Sequence, residues 1–424
     1  MAASNELIEL LVERIGGDGD GIAHWRSEPV YLPFTVPGDR VRAALGPRRG
    51  GGYEGRVVEM LAAGNGRAAP PCRHFARCGG CALQHLDPIT YRNAKLQGLR
   101  TALARFRIDP DTVQPLRCVA AVRRRARLAL IRPRDPRQPG IIGFRERFRH
   151  ALVDLAECPI LERPLLALVN VLRGYIAQLL PPGGSAEAHL TRTDSGIDLL
   201  LTAALMPGLD ALEALASLAA AQDLARIVWR SPASEILVVE RRRVRMMRAG
   251  VAVCFPPGAF LQASESAEAL LVAEVIAAVG TRRPVLDLYA GLGTFGFALA
   301  AAEIGVVHMA EGDQPTFQAL AQATPGVKGV SVERRDLARD PMPPETLAKY
   351  TAVVLDPPRS GAPRMAEALA RAPIDTVVSV SCNPASFARD AGRLVGGGYR
   401  LERVTPIDQF VWSPHLELVA VFRR

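Results

Sequence analysis

The segment from Val285 to Gly296 constrains the fold of this chain more than any other. It reads as an apolar strand, a turn with the glycine spacing G-x-G-x-x-G, and the start of a helix. Such a turn lets the backbone approach a ligand closely at the carboxyl edge of a parallel sheet. Further apolar strands alternate with Ala- and Leu-rich helical stretches from about residue 251 onward. This pattern predicts an α/β domain with helices on both faces of a parallel sheet.

Carboxylates at successive strand ends indicate which ligand the turn binds. Asp287 lies just before the turn, Glu311 ends the next predicted strand, and Asp336 follows the third. The glycine spacing alone also occurs in structural turns and in dinucleotide sites. Carboxylates suit S-adenosylmethionine (SAM), which has a cationic sulfonium and no phosphates, better than the pyrophosphate of NAD. We therefore favour SAM over NAD.

Two further strand ends carry reactive groups. One strand ends in Asp356-Pro-Pro358, where the prolines stiffen a loop at the ligand-binding edge, and the next ends in Ser381-Cys382-Asn383-Pro384. A cysteine at a strand end is often only a small apolar residue. Beside a SAM site, Cys382 is better interpreted as a nucleophile.

The chemistry that needs a thiolate here is methylation at C5 of a uracil. C5 becomes nucleophilic enough only after a thiolate attacks C6, and a base must then remove the C5 proton. Glu417 and His415, two residues apart in the last apolar segment, are the candidate bases.

Seven cysteines are present, and three of them, Cys72, Cys78 and Cys81, lie in one short segment. An odd number clustered in this way favours metal binding or catalysis in a reducing compartment over a disulfide framework. With Cys158, the three thiols could hold either zinc or a [4Fe–4S] cluster, and the spacing does not separate the two.

The amino-terminal residues lack the pattern of a signal peptide, and no apolar run could span a bilayer. We therefore expect a soluble, cytoplasmic protein that acts as a monomer.

The charge distribution points to a polyanionic partner. The formal net charge is +9, and arginines crowd the stretch from Val122 to His150. Arginines interspersed with Leu, Ile and Phe suit phosphate binding, although a solvated charged surface would look similar. A second run, Arg241–Arg245, could extend this surface.

The order of strand-like, arginine-rich and alternating strand–helix segments predicts three parts of the chain. These are a small OB-type β-barrel over 1–63, a central RNA-binding region over 64–250, and the α/β domain over 251–424.

Taken together, these motifs resemble the RNA uridine-C5 methyltransferases, especially the 23S rRNA branch with an N-terminal TRAM domain and an iron–sulfur cluster. The resemblance runs through almost the whole chain and is carried by the following segments: Cys72-x5-Cys78-Gly-Gly-Cys81-x2-Gln84-His85, Gly143-Phe-Arg-Glu146, Cys158-Pro-Ile-Leu161, Phe260-Leu-Gln262, Asp287–Phe295, Asp356–Gly361, Ser381–Pro384 and His415-Leu-Glu417.

The resemblance implies a Rossmann-like SAM-dependent methyltransferase domain, a TRAM-like barrel and a central α+β iron–sulfur domain. It makes Cys382 the nucleophile and Glu417 the proton acceptor. A [4Fe–4S] cluster would be held by Cys72, Cys78, Cys81 and Cys158. The implied SAM pocket is lined by Gln262, Tyr289, Glu311, Asp336 and Asp356, with Thr294 as a neighbour.

Some residues depart from the family pattern. Ala290 stands where a cysteine is frequent, Ser264 where an asparagine is frequent, and Val411-Trp412 where Pro-His is common. The Asn-Ala pair that usually follows the position of Glu311 is also absent. None of these departures affects Cys382 or Glu417.

Three other enzyme or protein classes fit the motifs less well. An adenine-N6 methyltransferase has an aromatic residue after Asp-Pro-Pro, where this chain has Arg359, and a cytosine-C5 RNA enzyme typically has proline where Ser381 precedes the cysteine. A non-catalytic RNA-binding relic would have lost Cys382, Glu417 or the glycine turn. The target RNA is most readily 23S rRNA, by branch resemblance alone, with tRNA as the alternative.

Overall fold

The amino-terminal part of the computed structural model is one mixed sheet. The model describes residues 7–120, 122–149 and 151–424; residues 1–6 of the predicted first part and His150 of the arginine-rich stretch lie outside these ranges. The strands are β1 (Leu7–Leu11), β2 (Arg14–Ile15), β3 (Gly21–Trp25), β4 (Glu28–Leu32), β5 (Arg40–Arg49) and β6 (Gly52–Ala62), in the spatial order β1-β5-β6-β4-β3-β2. In β1, buried Ile8 and Leu10 alternate with exposed neighbours, as expected for a strand with one face on a core. Closure into an OB-type barrel stays a prediction.

The next segment joins two different layers. Helix α1 (Pro88–Ala104) and the short strand β7 (Arg117–Cys118) come first. Leu99 and Leu103 of α1 pack in the core of the carboxy-terminal sheet, and β7 pairs with that sheet as well. Residues 88–118 of the predicted central segment thus support the α/β domain.

A second, mostly antiparallel sheet follows. Its elements are β8 (Arg125–Ile131), β9 (Ile141–Arg145), β10 (Leu152–Asp154), α2 (Arg163–Leu179), β11 (Ser185–Thr193), β12 (Gly196–Ala203), α3 (Leu209–Ala221), β13 (Arg226–Arg230) and β14 (Glu235–Glu240). The strand order is β10-β9-β8-β11-β12-β13-β14, and only β12 and β13 pair in parallel. Helices α2 and α3 bury leucines such as Leu172 and Leu215 against it. A hairpin, β15 (Arg245–Arg248) and β16 (Val251–Cys254), leads into the last domain.

The carboxy-terminal domain is an eight-stranded sheet with helices on both faces. Its elements are α4 (Glu265–Val279), β17 (Val285–Leu288), α5 (Thr294–Ala301), β18 (Val307–Glu311), α6 (Gln314–Ala323), β19 (Val330–Arg334), α7 (Pro344–Leu347), β20 (Ala352–Leu355), α8 (Pro363–Arg371), β21 (Thr376–Ser381), α9 (Pro384–Gly396), β22 (Arg400–Asp408) and β23 (Glu417–Arg423). Two single 3₁₀ turns, Pro110–Thr112 and Thr324–Gly326, complete the helical elements of the described residues.

The strand order β19-β18-β17-β20-β21-β23-β22-β7 places the site. Strands β19, β18, β17, β20 and β21 are parallel, whereas β23 is antiparallel to both of its neighbours. The order reverses between β17 and β20, and ligands bind such sheets outside the carboxyl ends of the strands at this point. The predicted α/β fold with a parallel sheet is confirmed. Within the described residues, no helix combines the length and the apolar character that crossing a bilayer requires.

Candidate active site

The glycine turn after β17 is built as its spacing predicts. Gly291 and Gly293 have φ angles of 56° and 75°, in the left-handed region that side chains disfavour. Gly296 lies inside α5, and a Cβ there would come within 2.4 Å of Met309 Sδ and 3.0 Å of Asp287 Oδ2. The third glycine therefore allows the helix to pack closely on the sheet.

A cavity of about 890 Å³ opens at the carboxyl edge of the sheet. It brings together most of the residues predicted from the sequence. Its lining includes Cys382, Glu417, Gln262, Tyr289, Thr294, Glu311 and Asp356. The cavity thus contains the predicted nucleophile, the predicted base and all the predicted SAM contacts except Asp336.

Of the predicted SAM-pocket residues, Asp336 is the one that is absent from the lining of this cavity in the described part of the chain. It follows β19, and its Oδ1 accepts hydrogen bonds from the amides of Ala338 (3.1 Å) and Arg339 (3.3 Å). Its side chain is half exposed and pairs with that of Arg339. Asp336 therefore stabilises the turn after β19, and its role in the SAM pocket stays a prediction.

Glu311 supports the glycine turn directly. Its Oε2 accepts a hydrogen bond from the Gly291 amide (2.8 Å), and its Oε1 accepts one from the Asp313 amide (2.7 Å). These two bonds fix the carboxylate at the end of β18, where Glu311 also lines the cavity. Glu311 therefore lies at the end of a strand, as the sequence indicated.

Two carboxyl groups lie close together at the central strands: Asp287 within β17 and the partly buried Asp356 directly after β20. Asp287 is completely buried in β17, and burial raises its pKa to about 8, with the nearby charges of Asp356 and Glu311 adding to the effect. Burial likewise raises the pKa of Asp356 to about 7. Carboxyl groups removed from water in this way favour a cationic ligand beside them, because a positive charge would stabilise their ionised forms.

Cys382 lies at the carboxyl end of β21, just before α9. Asn383 caps that helix, since its Oδ1 accepts from the Ala385 amide (3.0 Å), and its Nδ2 donates to the Arg359 carbonyl oxygen (3.0 Å). The cysteine loop and the Asp356-Pro-Pro-Arg359 loop are thereby tied together. Burial raises the pKa of the Cys382 thiol to about 11, the charges of Glu417 and Asp356 act in the same direction, and Arg359 opposes them.

Glu417 belongs to a chain of four side chains. Gln409 Nε2 donates to Glu417 Oε2 (2.8 Å) and to Gln262 Oε1 (2.7 Å), and Gln262 Nε2 donates to Asp356 Oδ2 (3.1 Å). Burial and the charge of Asp356 raise the pKa of Glu417 well above its usual range, whereas the bond from Gln409 lowers it. Glu417 Oε1 has no hydrogen-bond partner among the described residues and is free to take a proton.

Sequence reasoning missed Gln409. Its only signal was a position between Asp408 and Phe410, eight residues before the carboxylate that it contacts. A glutamine in such a loop is ordinary, and nothing in the local pattern shows that its amide bridges two sides of a cavity.

His415, the other candidate base, is placed differently. It lies in the loop before β23, and its Nδ1 is 2.6 Å from Arg359 Nη2. Burial and the positive charges of Arg359 and Lys95 lower the pKa of His415 to about 4. Since Nδ1 faces a guanidinium donor, Glu417 has the freer acceptor atom of the two.

The arginine-rich stretch divides into structural and cavity-facing residues. Arg124 is buried and donates to Glu268 Oε2 (2.6 Å), and Arg147 donates to Asp20 Oδ1 (2.7 Å). In contrast, Arg123 and Arg125 line the cavity, and the Arg125 guanidinium stacks over the Phe260 ring at 4.5 Å. Arg147 lines the cavity as well, so the stretch contributes three cations there, while Arg124 holds the fold together.

The four predicted metal ligands, Cys72, Cys78, Cys81 and Cys158, are all partly buried. Burial raises the pKa of Cys78, Cys81 (to about 11) and Cys158, and the thiols act on one another through their charges. Within the described ranges, no group of three or more His, Cys, Asp or Glu side chains is arranged to hold an ion. Four soft thiolate donors suit a [4Fe–4S] cluster by their chemistry.

Comparison with known proteins identifies the family. A protein of Brucella suis described as an uncharacterized RNA methyltransferase is 39% identical over 99% of both chains. The 23S rRNA (uracil(1939)-C(5))-methyltransferase RlmD of Chromohalobacter salexigens is 34% identical over 98% of this chain and 89% of its own. The tRNA (Uracil-5-)-methyltransferase family model matches residues 345–424.

The chain belongs to the RNA uracil-C5 methyltransferase family. Members of this family are SAM-dependent enzymes, so the enzyme class inferred from the motifs is confirmed. The fold agrees: the crystal structure of the Pyrococcus abyssi tRNA (uracil-54, C5)-methyltransferase, in complex with S-adenosyl-L-homocysteine, superposes with a TM-score of 0.72 at 23% identity, covering 98% of this chain and 99% of that one.

Proposed function

We propose that this methyltransferase transfers a methyl group from SAM to C5 of one uridine in 23S rRNA, through a covalent bond between Cys382 and C6. The observation that carries the proposal is the shared cavity in which Cys382, Glu417 and Asp356 meet at the carboxyl edge of the sheet. The 34% identity to a 23S rRNA enzyme along 98% of the chain supports the choice of RNA, with tRNA as the alternative.

The proposed reaction begins at Cys382. Its thiolate forms a bond to C6, and the electron pair of the C5–C6 double bond moves to C5 and the C4 carbonyl oxygen. C5 then attacks the methyl carbon of SAM, the bond from that carbon to the sulfonium sulfur breaks, and S-adenosylhomocysteine leaves. Glu417 then removes the C5 proton, the double bond re-forms, and the Cys382 thiolate leaves. No atom or electron is left unaccounted for.

The surrounding side chains prepare this sequence. Because burial keeps the Cys382 thiol protonated at neutral pH, a cation beside it is needed to favour the thiolate, and Arg359 acts in that direction. Gln262 and Gln409 hold the two carboxylates apart from each other. A uridine in folded RNA must also be flipped out of its stack to reach this depth.

RNA containing 5-fluorouridine at the target tests the proposal, because Glu417 cannot remove fluorine and the adduct is trapped. With SAM present, the native enzyme should form an adduct that survives denaturation, and Cys382→Ala should not. Cys118→Ala, an exposed cysteine, is the matched control. An adduct that persists in Cys382→Ala would show that another residue is the nucleophile. Mapping 5-methyluridine in rRNA and tRNA from a deletion strain decides between the two RNAs.

We further propose that residues 1–63 form a TRAM-like barrel and that the enzyme is a cytoplasmic monomer. Our first proposal beyond the reaction itself concerns the central region 64–250, where Cys72, Cys78, Cys81 and Cys158 would hold a [4Fe–4S] cluster. The clustered thiols support the first point, and the cluster has no step in methyl transfer. Anaerobic preparations should contain about four irons per chain. Stoichiometric zinc without visible absorbance would contradict the cluster.

The cavity arginines Arg123 and Arg125, with the run Arg241–Arg245, are the proposed phosphate contacts. Arg241 and Arg242 also pair with Asp223, so this run is partly neutralised within the chain. Phosphate binding releases counterions, and RNA affinity should therefore fall steeply as salt is raised. A flat salt dependence would remove this surface from the proposal.

A further inference from the structure

Lys95 is an unusual residue in this chain. The sequence has three lysines, Lys95, Lys328 and Lys349, against 49 arginines. Lys95 is completely buried in α1, where a charged nitrogen is costly unless its donors are satisfied. Each of its three donors has an acceptor: Asp408 Oδ1, the Phe410 carbonyl oxygen (3.0 Å) and the His415 carbonyl oxygen (2.9 Å).

These acceptors bracket one loop. Strand β22 ends at Asp408 and β23 begins at Glu417, so residues 409–416 form the connection between them, which we call the catalytic loop. Lys95 thus binds the last residue of β22, the second residue of the loop, and the carbonyl two residues before Glu417. The Lys95 ammonium therefore holds the two ends of the catalytic loop close to each other.

The middle of the catalytic loop is held from the same side. Tyr91, one turn before Lys95 in α1, donates its hydroxyl hydrogen to Asp408 and accepts from the Trp412 amide (3.0 Å). The Trp412 carbonyl oxygen accepts from the amides of Ala82 (2.8 Å) and Leu83 (3.0 Å). The loop is therefore fixed at its ends and its middle by residues from far upstream in the chain.

We propose that Lys95 is a positioning residue for the methyl-transfer reaction, with Tyr91 as its support. The catalytic loop carries Gln409, which donates to Glu417, and His415, which contacts Arg359. By closing the loop, Lys95 sets where Gln409 and Glu417 lie relative to Cys382. A lysine suits this place because three acceptors converge on one nitrogen, whereas a guanidinium spreads its donors in a plane. The inference rests on the proposed function.

The reaction sequence gives a readout specific to this role. If Glu417 is misplaced, methyl transfer still occurs but the C5 proton is removed slowly, so the covalent RNA–enzyme intermediate accumulates on ordinary uridine RNA. Lys95→Met alone would leave Asp408 buried without a cation, so the test uses the double variant Lys95→Met/Asp408→Asn, which removes both charges. Tyr91→Phe is the milder variant, and Lys349→Met, at an exposed lysine, is the control.

In single-turnover reactions with uridine RNA, the double variant should release 5-methyluridine on the order of a hundredfold more slowly, since small misplacements of catalytic groups cost rates of this size. Tyr91→Phe should be about tenfold slower, as one hydrogen bond is lost. Both should show a denaturation-resistant complex that the native enzyme and Lys349→Met do not accumulate. SAM binding, measured by calorimetry, should be unchanged.

Release at the native rate by Tyr91→Phe and the double variant would overturn the positioning role. Slow release without the accumulated complex would also overturn it, because the defect would then precede proton removal. If the double variant does not fold, Tyr91→Phe decides. Failure of the proposed function would look different, since the native enzyme would then form no adduct with 5-fluorouridine RNA.

Discussion

Replacing Gln409 with leucine tests whether Gln409 helps to keep Glu417, the proposed base, ionised in its buried position. Glu417 can accept a proton only when it is ionised, yet burial and the charge of Asp356 raise its pKa well above the usual range. The 2.8 Å hydrogen bond from Gln409 Nε2 opposes this shift. Without that bond the pKa of Glu417 rises further, and less of the enzyme carries the ionised base at neutral pH.

The size of the effect follows from the bond. A hydrogen bond to a charged group contributes about 1.5–3 kcal/mol, which corresponds to roughly a 10- to 100-fold loss of rate near neutral pH. Because a base with a raised pKa is ionised only at higher pH, the rise of rate with pH should move in the alkaline direction, and activity should partly recover there. The free energy of unfolding should fall by about 1–3 kcal/mol, because Glu417 Oε2 and Gln262 Oε1 lose their buried donor. The loss of Gln409 Oε1, which has no partner among the described residues, offsets part of this cost.

The assay is the single-turnover rate of 5-methyluridine release as a function of pH, with Gln322→Leu, an exposed glutamine in α6, as the matched control. Adduct formation with 5-fluorouridine RNA should stay close to native, because that step precedes proton removal. A pH profile that superposes on the native one would refute the reasoning, and would show that Gln409 does not control the ionisation of Glu417.

Three further results are expected. Arg124→Met should lower the free energy of unfolding by about 3 kcal/mol, because it breaks a buried ion pair with Glu268. Arg127→Met, at an exposed pair with Glu187, should lower it by less than about 1 kcal/mol. Equal losses for the two variants in chemical denaturation would contradict this assignment. Cys158→Ser should lower the iron content and visible absorbance of anaerobic preparations, and Cys254→Ser should not; unchanged iron would exclude Cys158 as a ligand. Arg125→Met should weaken RNA binding and reduce its salt dependence by about one phosphate contact, and an unchanged slope would place Arg125 away from the phosphates.

The sequence was most informative where function depends on strand ends. Cys382, Glu311 and Asp356 could be placed together because parallel strands bring their carboxyl ends to one edge, so local patterns predicted a shared site. The glycine spacing likewise predicted a turn whose backbone angles only glycine adopts easily. For these residues, position along a strand was enough.

The contacts of Gln409 and Lys95 could not be read in this way. Gln409 meets Gln262 across 147 positions, and Lys95 meets Asp408 across 313. Contacts of this kind depend on how a loop folds over a cavity, which local spacing does not encode. The arginine-rich stretch shows the same limit, since Arg124 and Arg123 are adjacent in sequence but one braces the core and the other lines the cavity. Charge composition alone cannot separate two such neighbours.

The hydrogen bonds that Lys95 and Tyr91 of α1 make to the catalytic loop and to Asp408 also have a consequence for biosynthesis. Lys95 leaves the ribosome 313 positions before the carboxylate that neutralises it. Until β22 and β23 have been made, its ammonium has no partner in the catalytic loop, and α1 cannot settle into its final place. Contacts this distant in sequence form late in folding. The nascent chain therefore carries Cys382 without Glu417, its proposed base, and the cavity around the thiol is complete only when the last strand of the sheet is in place.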